Sequence, residues 1–486
     1  MLPATTPFAG PGTGPPGRYV RHRPETTLLY RLVAQHWPAL REELDAADRP
    51  LPAFVGKEFD AFLTCGILAH GALRVRCDAC QRERLVAFSC KRRGFCPSCG
   101  GRRMAETAAL LTDRVLPAVP LRQWVLSLPF PLRLLLAVNP AALTGVLGLT
   151  WRAIAGDLCR RAGLRQRTAR AGGITLVQRF GSALNLNIHF HLLVADGVWQ
   201  QTPLGLQFRR VPPPTRVQLE RLLATLTRRI ARHLVRRGWL REDAEGAQLS
   251  GDDLGDEGLG TLRAHSITYR ISVGPNAGRK ALTLRTLPGR GADEPPAGLL
   301  ARADGFSLHA GVTVGATDTA KRERLCQYLA RPPVAHDRLS LTRDGRVAYA
   351  LKTPYRDGTT HVILEPQDFV ARLAALVPGP RSHLTRYHGV FAPHARWRSA
   401  IVPGRPAPRP TADQTPAERH RAMTWAQRLA RVFRIDVTRC EYCGGPVRII
   451  ASLTDPAVLD RILDARNGAE LHGPARGPPQ GELALG

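Results

Sequence analysis

The stretch on which this chain's reading turns is Asn187-Ile188-His189-Phe190-His191-Leu192-Leu193-Val194-Ala195. The two histidines sit in a run that continues as Leu192-Leu193-Val194-Ala195, which predicts a β-strand. Successive side chains of a strand point to opposite sides, so His189 and His191 share one face while Phe190 anchors the strand in a core. Two imidazoles converging in this way can hold a divalent cation such as Mg²⁺ or Mn²⁺; a surface or core-edge pair of histidines has the same pattern. If Ile174 to Phe180 and Asn187 to Ala195 form a hairpin in which position 180 faces 187, then 178 faces 189. The Gln178 amide then stands beside the histidine pair as a third ligand. In the alternative, Gln178 hydrogen-bonds the backbone, and Asn185, Asn187 or water completes the site.

The charge balance points to a polyanion. Lys and Arg total 69 against 40 Asp and Glu, a formal net charge of +29 and a pI near 11.0. A GC-rich coding sequence explains arginine in place of lysine, but not the excess of bases over acids. Arginine's planar fork suits phosphate, and binding through so many cations should weaken steeply with salt.

At 486 residues and 44% hydrophobic positions, the chain can build two to four compact units. Joints are expected at the Pro- and Gly-rich stretches 3–17, 288–298, 402–417 and 473–486 and at the acidic segment 242–260. Between them Gln123 to Leu128, Ile174 to Gln178 and Phe306 to His309 read as strands. Arg346 to Leu364 reads as a hairpin turning at Arg356-Asp357-Gly358. Thr215 should cap a helix from about Arg216 to Arg237, whose Arg228, Arg229, Arg232, Arg236 and Arg237 form either a solvated face or a ridge that tracks phosphates. Strands interspersed with helices, without regular βαβ alternation, imply an α+β fold around an antiparallel sheet. No apolar run reaches the roughly 20 residues needed to cross a bilayer, and Met1 to Pro7 lack a signal-peptide pattern. A cytoplasmic location without membrane contact is expected, and there the ten cysteines serve as metal ligands or free thiols.

Cys77-Asp78-Ala79-Cys80 is followed, after fifteen intervening residues, by Cys96-Pro97-Ser98-Cys99. This two-knuckle spacing suits tetrahedral Zn²⁺ held by Cys77, Cys80, Cys96 and Cys99. Arg92, Arg93, Arg102 and Arg103 surround the second knuckle and favour a DNA-facing finger. Cys65, His70 and Cys90 lie close enough in sequence to exchange with a knuckle cysteine or start a second site. Near the C-terminus Cys440-Glu441-Tyr442-Cys443 is a half-knuckle with no downstream partner pair; either a distant histidine completes it or its thiols are unmetallated.

A nucleophile is sought on a helix expected to start near Thr317-Asp318 and stop at Pro332-Pro333. Tyr328 lies on it, with Arg322, Arg324 and Arg331 nearby to hold a backbone phosphate. The plainer reading is a tyrosine packed between Leu325 and Leu329.

Taken together, the run Phe180 to His191, the segment Tyr328-Leu329-Ala330-Arg331-Pro332-Pro333, the phrase Tyr387-His388-Gly389-Val390-Phe391-Ala392-Pro393 and the zinc segment ending Phe95-Cys96-Pro97-Ser98-Cys99 resemble rolling-circle transposases of the insertion-sequence-91 family. These belong to the HUH endonuclease superfamily, and the resemblance runs from about residue 50 to 465. It implies a tail and N-terminal helix (1–50), a zinc-ribbon-like DNA-binding module (51–110) and an HUH catalytic domain (118–400, with an insertion at about 200–300). A linker (402–417) and a small helical, half-knuckle region (418–486) follow. In the implied chemistry, Tyr328 attacks single-stranded DNA at the ends of a mobile element, aided by Mg²⁺ or Mn²⁺ on His189 and His191. A 5′-phosphotyrosine forms, and the strand is then transferred to target DNA in the nucleoid.

This chain departs from the best-known branch, which carries two tyrosines four residues apart; position 324 here is Arg324. That resembles the single-tyrosine subgroup of common-region elements, in which a second subunit of a homodimer or the freed 3′ hydroxyl completes transfer. Two other readings share features with this one. A plasmid replication initiator or relaxase has the same site but usually lacks the zinc module, and a zinc-ribbon DNA-binding protein could retain the sheet with a decayed catalytic core.

Overall fold

A computed structural model describes residues 23–243, 246–249, 257–288, 298–404 and 439–467. Most of the expected joints, including 3–17, 405–417 and 473–486, lie outside the described residues. The chain clusters into two units. The larger takes in the described parts of 32–59 and 92–406, and the smaller those of 1–31, 60–91 and 407–486.

The larger unit is built on a six-stranded antiparallel sheet. Its spatial order is Leu300–Ala303, Phe306–Val314, Leu121–Ser127, Leu186–Ala195, Gly172–Phe180 and Thr385–Gly389. The histidine strand Leu186–Ala195 is central and buried on both sides, which is why it reads as a continuous apolar run. One face carries Leu193, Ala195, Leu121, Ile174 and Leu176. They pack with Ala108 and Leu111 of helix Pro97–Arg114 and with Leu325, Cys326 and Leu329 of helix Thr319–Ala330. The other face carries Ile188, Phe190, Leu192, Val194, Trp124 and Leu126, all fully buried. Helices Phe130–Val138, Glu257–Ile267 and Pro366–Leu376 touch the histidine strand. Mixed α+β architecture with antiparallel sheets is therefore established.

Local signals in the sequence explain most elements. Thr215 closes a full capping box with Gln218 and starts helix Arg216–Arg236, whose Arg228, Arg229, Arg232 and Arg236 are exposed. Asp318 accepts from the Lys321 N–H to start the tyrosine helix, which ends at Ala330 ahead of Pro332. Strands Val347–Ala350 and Thr359–Leu364 pair as a hairpin, with the Gly358 N–H donating to the Tyr355 carbonyl in its turn.

The smaller unit has a three-stranded antiparallel sheet in which Ala72–Cys77 lies between Glu83–Ala87 and Val447–Leu453. Helix Pro456–Asn467 follows, and among the described residues Ala72, Leu85 and Leu459 form a small buried cluster with Leu68, Leu453, Ile462 and Leu463 around them. No single helix among the described residues is long and apolar enough to cross a membrane.

Candidate active site and cysteine clusters

His189 and His191 lie on one face of the central strand, both buried, with ring centroids 4.8 Å apart. Gln178 pairs directly with His189 across the hairpin, as the register reasoning expected, although a bulge between Gln178 and Phe180 sets Phe180 opposite Leu186 instead of Asn187. The Gln178 amide nitrogen donates to the Leu329 carbonyl at 3.0 Å and so ties the tyrosine helix to the sheet, while its Oε1 is buried without a hydrogen-bond partner.

The histidines have defined second contacts. His189 Nδ1 lies 2.9 Å from the Asn187 carbonyl, which fixes the proton on Nδ1 and leaves the Nε2 lone pair free. His191 Nδ1 lies 2.8 Å from the Gln123 amide, and His191 Nε2 is buried with no partner. A half-turn of that amide sets its oxygen against Nδ1–H and frees the Nε2 lone pair as well. Burial holds the His189 imidazolium down to about 4 and that of His191 well below the usual value, so both rings are neutral at physiological pH. Two neutral imidazoles and an amide oxygen, two of these atoms orphaned in a buried pocket, fit a hard-to-intermediate divalent ion.

Tyr328 faces this pair. Its ring stands edge-on to His191 with centroids 6.1 Å apart and an interplanar angle of 89°. Arg331 and Lys352 sit over the ring at 4.2 and 4.3 Å from its centroid. Burial pushes the phenol's pKa up, but the two cations outweigh it and the net shift is downward. Tyr387 sits opposite Ile174, further along the same face, and burial shifts its pKa upward. Sequence reasoning missed Gln123, Lys352 and the Asn187 carbonyl. Gln123 alone carried a usable signal, a lone amide in the apolar strand Leu121–Ser127.

Among the expected DNA-binding arginines, Arg92 and Arg93 are exposed and Arg93 Nη1 donates to the Ser382 carbonyl at 2.9 Å. Arg102 pairs with Glu106 at 3.3 Å, and Arg103 donates to the Arg92 carbonyl. Arg324 is half-buried on the tyrosine helix, and Arg331 also reaches over the Phe180 ring.

The cysteines group differently from the expectation. Cys77 and Cys80 meet Cys440 and Cys443, not Cys96 and Cys99: Sγ of Cys77 is 3.5 Å from that of Cys443, and Sγ of Cys80 is 3.6 Å from that of Cys440. The physical reason is the pairing of Val447–Leu453 with Ala72–Cys77, which returns the C-terminal half-knuckle to the first one. Its partner pair is thus upstream, where no downstream search finds it. Cys96 in turn is the N-cap of helix Pro97–Arg114 and Cys99 lies in its first turn. Cys90 N–H points at Cys65 Sγ, 3.2 Å away, while His70 is exposed on the short turn Leu68–His70.

Residues 172–399 match a family model described as a transposase, and residues 32–128 match one described as the transposase zinc-binding domain of the insertion-sequence-91 type. No curated protein and no solved structure matches the chain significantly. The first match takes in the histidine strand, Gln178 and Tyr328, and the second six of the ten cysteines. The chain carries a structural zinc-binding domain and a DNA-processing domain, and it belongs to the insertion-sequence-91 family of transposases.

Proposed function

We propose that the protein is an HUH-type single-strand endonuclease and strand transferase, with Tyr328 as nucleophile. One observation carries the reading: Tyr328, its phenol acidified by Arg331 and Lys352, faces a buried pair of neutral imidazoles beside the orphaned amide oxygen of Gln178. His189, His191 and Gln178 would hold Mg²⁺ or Mn²⁺, which when bound supplies positive charge at the scissile phosphate. Tyr328 gives its proton to solvent and its phenolate oxygen bonds to phosphorus. The P–O3′ bond breaks, and the departing oxygen takes a proton from water to leave a 3′ hydroxyl. Arg331 and Lys352 neutralise charge on the phosphate oxygens as the bond forms. Reversal by a different 3′ hydroxyl transfers the strand.

Zinc has a structural part in this reading. Cys77 and Cys80 meet the C-terminal knuckle, so the ion of the matched zinc-binding segment is held by a set that includes Cys96 and Cys99 without them. Arg92, Arg93, Arg102 and Arg103, near Cys96 and Cys99 in sequence, serve as phosphate contacts, with Arg324 and Arg331 nearer the nucleophile. The substrates are single-stranded element ends and target DNA, and with one nucleophile per chain a homodimer supplies a second.

Incubating the purified protein with oligonucleotides carrying element ends tests this. Nicking and strand transfer in Mg²⁺ or Mn²⁺, lost in chelator and in His189→Ala or His191→Ala, are expected. Chelator-insensitive nicking would remove the metal assignment, and nicking without transfer would favour a replication initiator. Binding without cleavage would leave a DNA-binding protein.

A further inference from the structure

We propose that Cys77, Cys80, Cys440 and Cys443 bind a zinc ion of their own, making a discontinuous zinc ribbon that staples the C-terminal segment to the N-terminal sheet. The matched zinc-binding segment ends at residue 128, so it contains only half of this site. The inference does not depend on the nucleophile assignment.

The two knuckles share one backbone conformation. In Cys77-Asp78-Ala79-Cys80-Gln81-Arg82, the Cys77 N–H donates to the Arg82 carbonyl at 2.9 Å and the Gln81 N–H to the Cys77 carbonyl at 3.1 Å. In Cys440-Glu441-Tyr442-Cys443-Gly444-Gly445, the Cys440 N–H donates to the Gly445 carbonyl at 2.8 Å and the Gly444 N–H to the Cys440 carbonyl at 2.9 Å. The fifth residue is left-handed in both, with φ 58° at Gln81 and 70° at Gly444. Two hairpins 360 residues apart in sequence thus adopt one geometry and present their thiols to each other. That conformation turns backbone N–H groups toward sulfur, as a thiolate site requires; the Cys80 N–H lies 3.5 Å from Cys77 Sγ.

The sulfurs are spaced for a single ion. All four lie within 4.8 Å of one another, and the cross-knuckle pairs are 3.5 and 3.6 Å apart. A tetrahedral ion with zinc–sulfur bonds of about 2.3 Å sets its sulfurs about 3.8 Å apart. Four thiolates with no open position make a closed, structural site.

The chain also approaches closely around the sulfurs. A Cβ at Gly445 would stand 2.7 Å from Ala79 Cβ and 3.2 and 3.3 Å from the sulfurs of Cys77 and Cys443. Around this point Asp78 pairs with Arg448 at 2.7 Å, and Arg82 lies over the Tyr442 ring at 3.9 Å. Among the described residues, the cluster that packs the C-terminal segment on this sheet is small, with Ala72, Leu85 and Leu459 at its centre, so a metal staple adds much to holding two distant chain segments together.

Metal analysis of the full-length protein and a set of cysteine variants tests the proposal. The wild type should carry two zinc equivalents, and Cys440→Ser one. Cys77→Ser with Cys440→Ser should lose no more than either alone, whereas Cys77→Ser with Cys96→Ser should lose both. Full zinc content in Cys440→Ser, or two equivalents lost from Cys77→Ser with Cys440→Ser, would overturn the site. Should the serine variants fail to fold, Cys440→His retains a ligand. Cobalt substituted into that variant should show d–d bands shifted from those of the wild type, and an unchanged spectrum would equally overturn it.

Discussion

At the residue scale the candidate site is a set of lone pairs held in place by second contacts. His189 and His191 were legible because alternation in a strand is a geometric necessity, and Gln178 followed from the register. Gln123 and Lys352 were not, because each arrives from another part of the chain: Gln123 from a neighbouring strand, Lys352 from beyond the strand Val347–Ala350. Gln123→Ala should weaken Mn²⁺ binding by about 10- to 100-fold, by releasing the ring it orients. Titration calorimetry on the folded variant checks this, and unchanged affinity would relieve Gln123 of that role. Lys352→Met should act on the nucleophile. A neighbouring cation favours phenolate, so its removal raises the Tyr328 pKa and moves the ascending limb of the single-turnover pH–rate profile to higher pH. If only the amplitude falls and the limb stays in place, Lys352 acts on the phosphate alone.

At the element scale, two helices fix where the tyrosine stands. Helix Pro97–Arg114 packs along Thr319–Ala330, and Gly100 allows this because a Cβ there would meet Pro332 Cβ at 2.6 Å. Gly100→Val should displace the end of the tyrosine helix and cut adduct formation at least several-fold, while circular dichroism stays near wild type. Wild-type adduct yield would show that the helix end has slack. Thr215→Ala removes a capping box far from the site and should cost about 1 kcal/mol of stability with no change in cleavage, read from urea midpoints. Helix caps and hairpin turns were legible because they are local chemistry. The strand Val447–Leu453 finding its place beside Ala72–Cys77 was not, since nothing within either segment encodes a partner 360 or more residues away. The expected Cys77, Cys80, Cys96, Cys99 set failed for that reason: spacing ranks the nearest pair first, and the fold joined the far one.

At the scale of the whole molecule, the excess of arginine and the burial of histidine set two responses to solution conditions. A net charge of +29 should make non-covalent DNA binding fall steeply with added salt. Burial holds His189 and His388 at about 4 and His191 well below 6.5, whereas in the unfolded chain all three titrate near 6.5. Between those values the unfolded state binds more protons, so stability is full above about pH 6.5 and is lost as pH falls toward 4, by up to about 1.4 kcal/mol per unit for each ring. In chelator, the urea midpoint should therefore drop between pH 7 and 5. His388→Phe, which keeps an aromatic ring against Trp151, should make the drop smaller; a midpoint independent of pH would contradict the neutral, buried state of these rings. In the proposed reaction one tyrosine carries the DNA. The most direct measurement of this is mass spectrometric mapping of the covalent product formed with a labelled single-stranded oligonucleotide in Mn²⁺. A 5′-phosphate ester on the peptide containing Tyr328 is expected, as is its loss in Tyr328→Phe with DNA binding retained. An adduct on Tyr387, or an undiminished adduct in Tyr328→Phe, would contradict it.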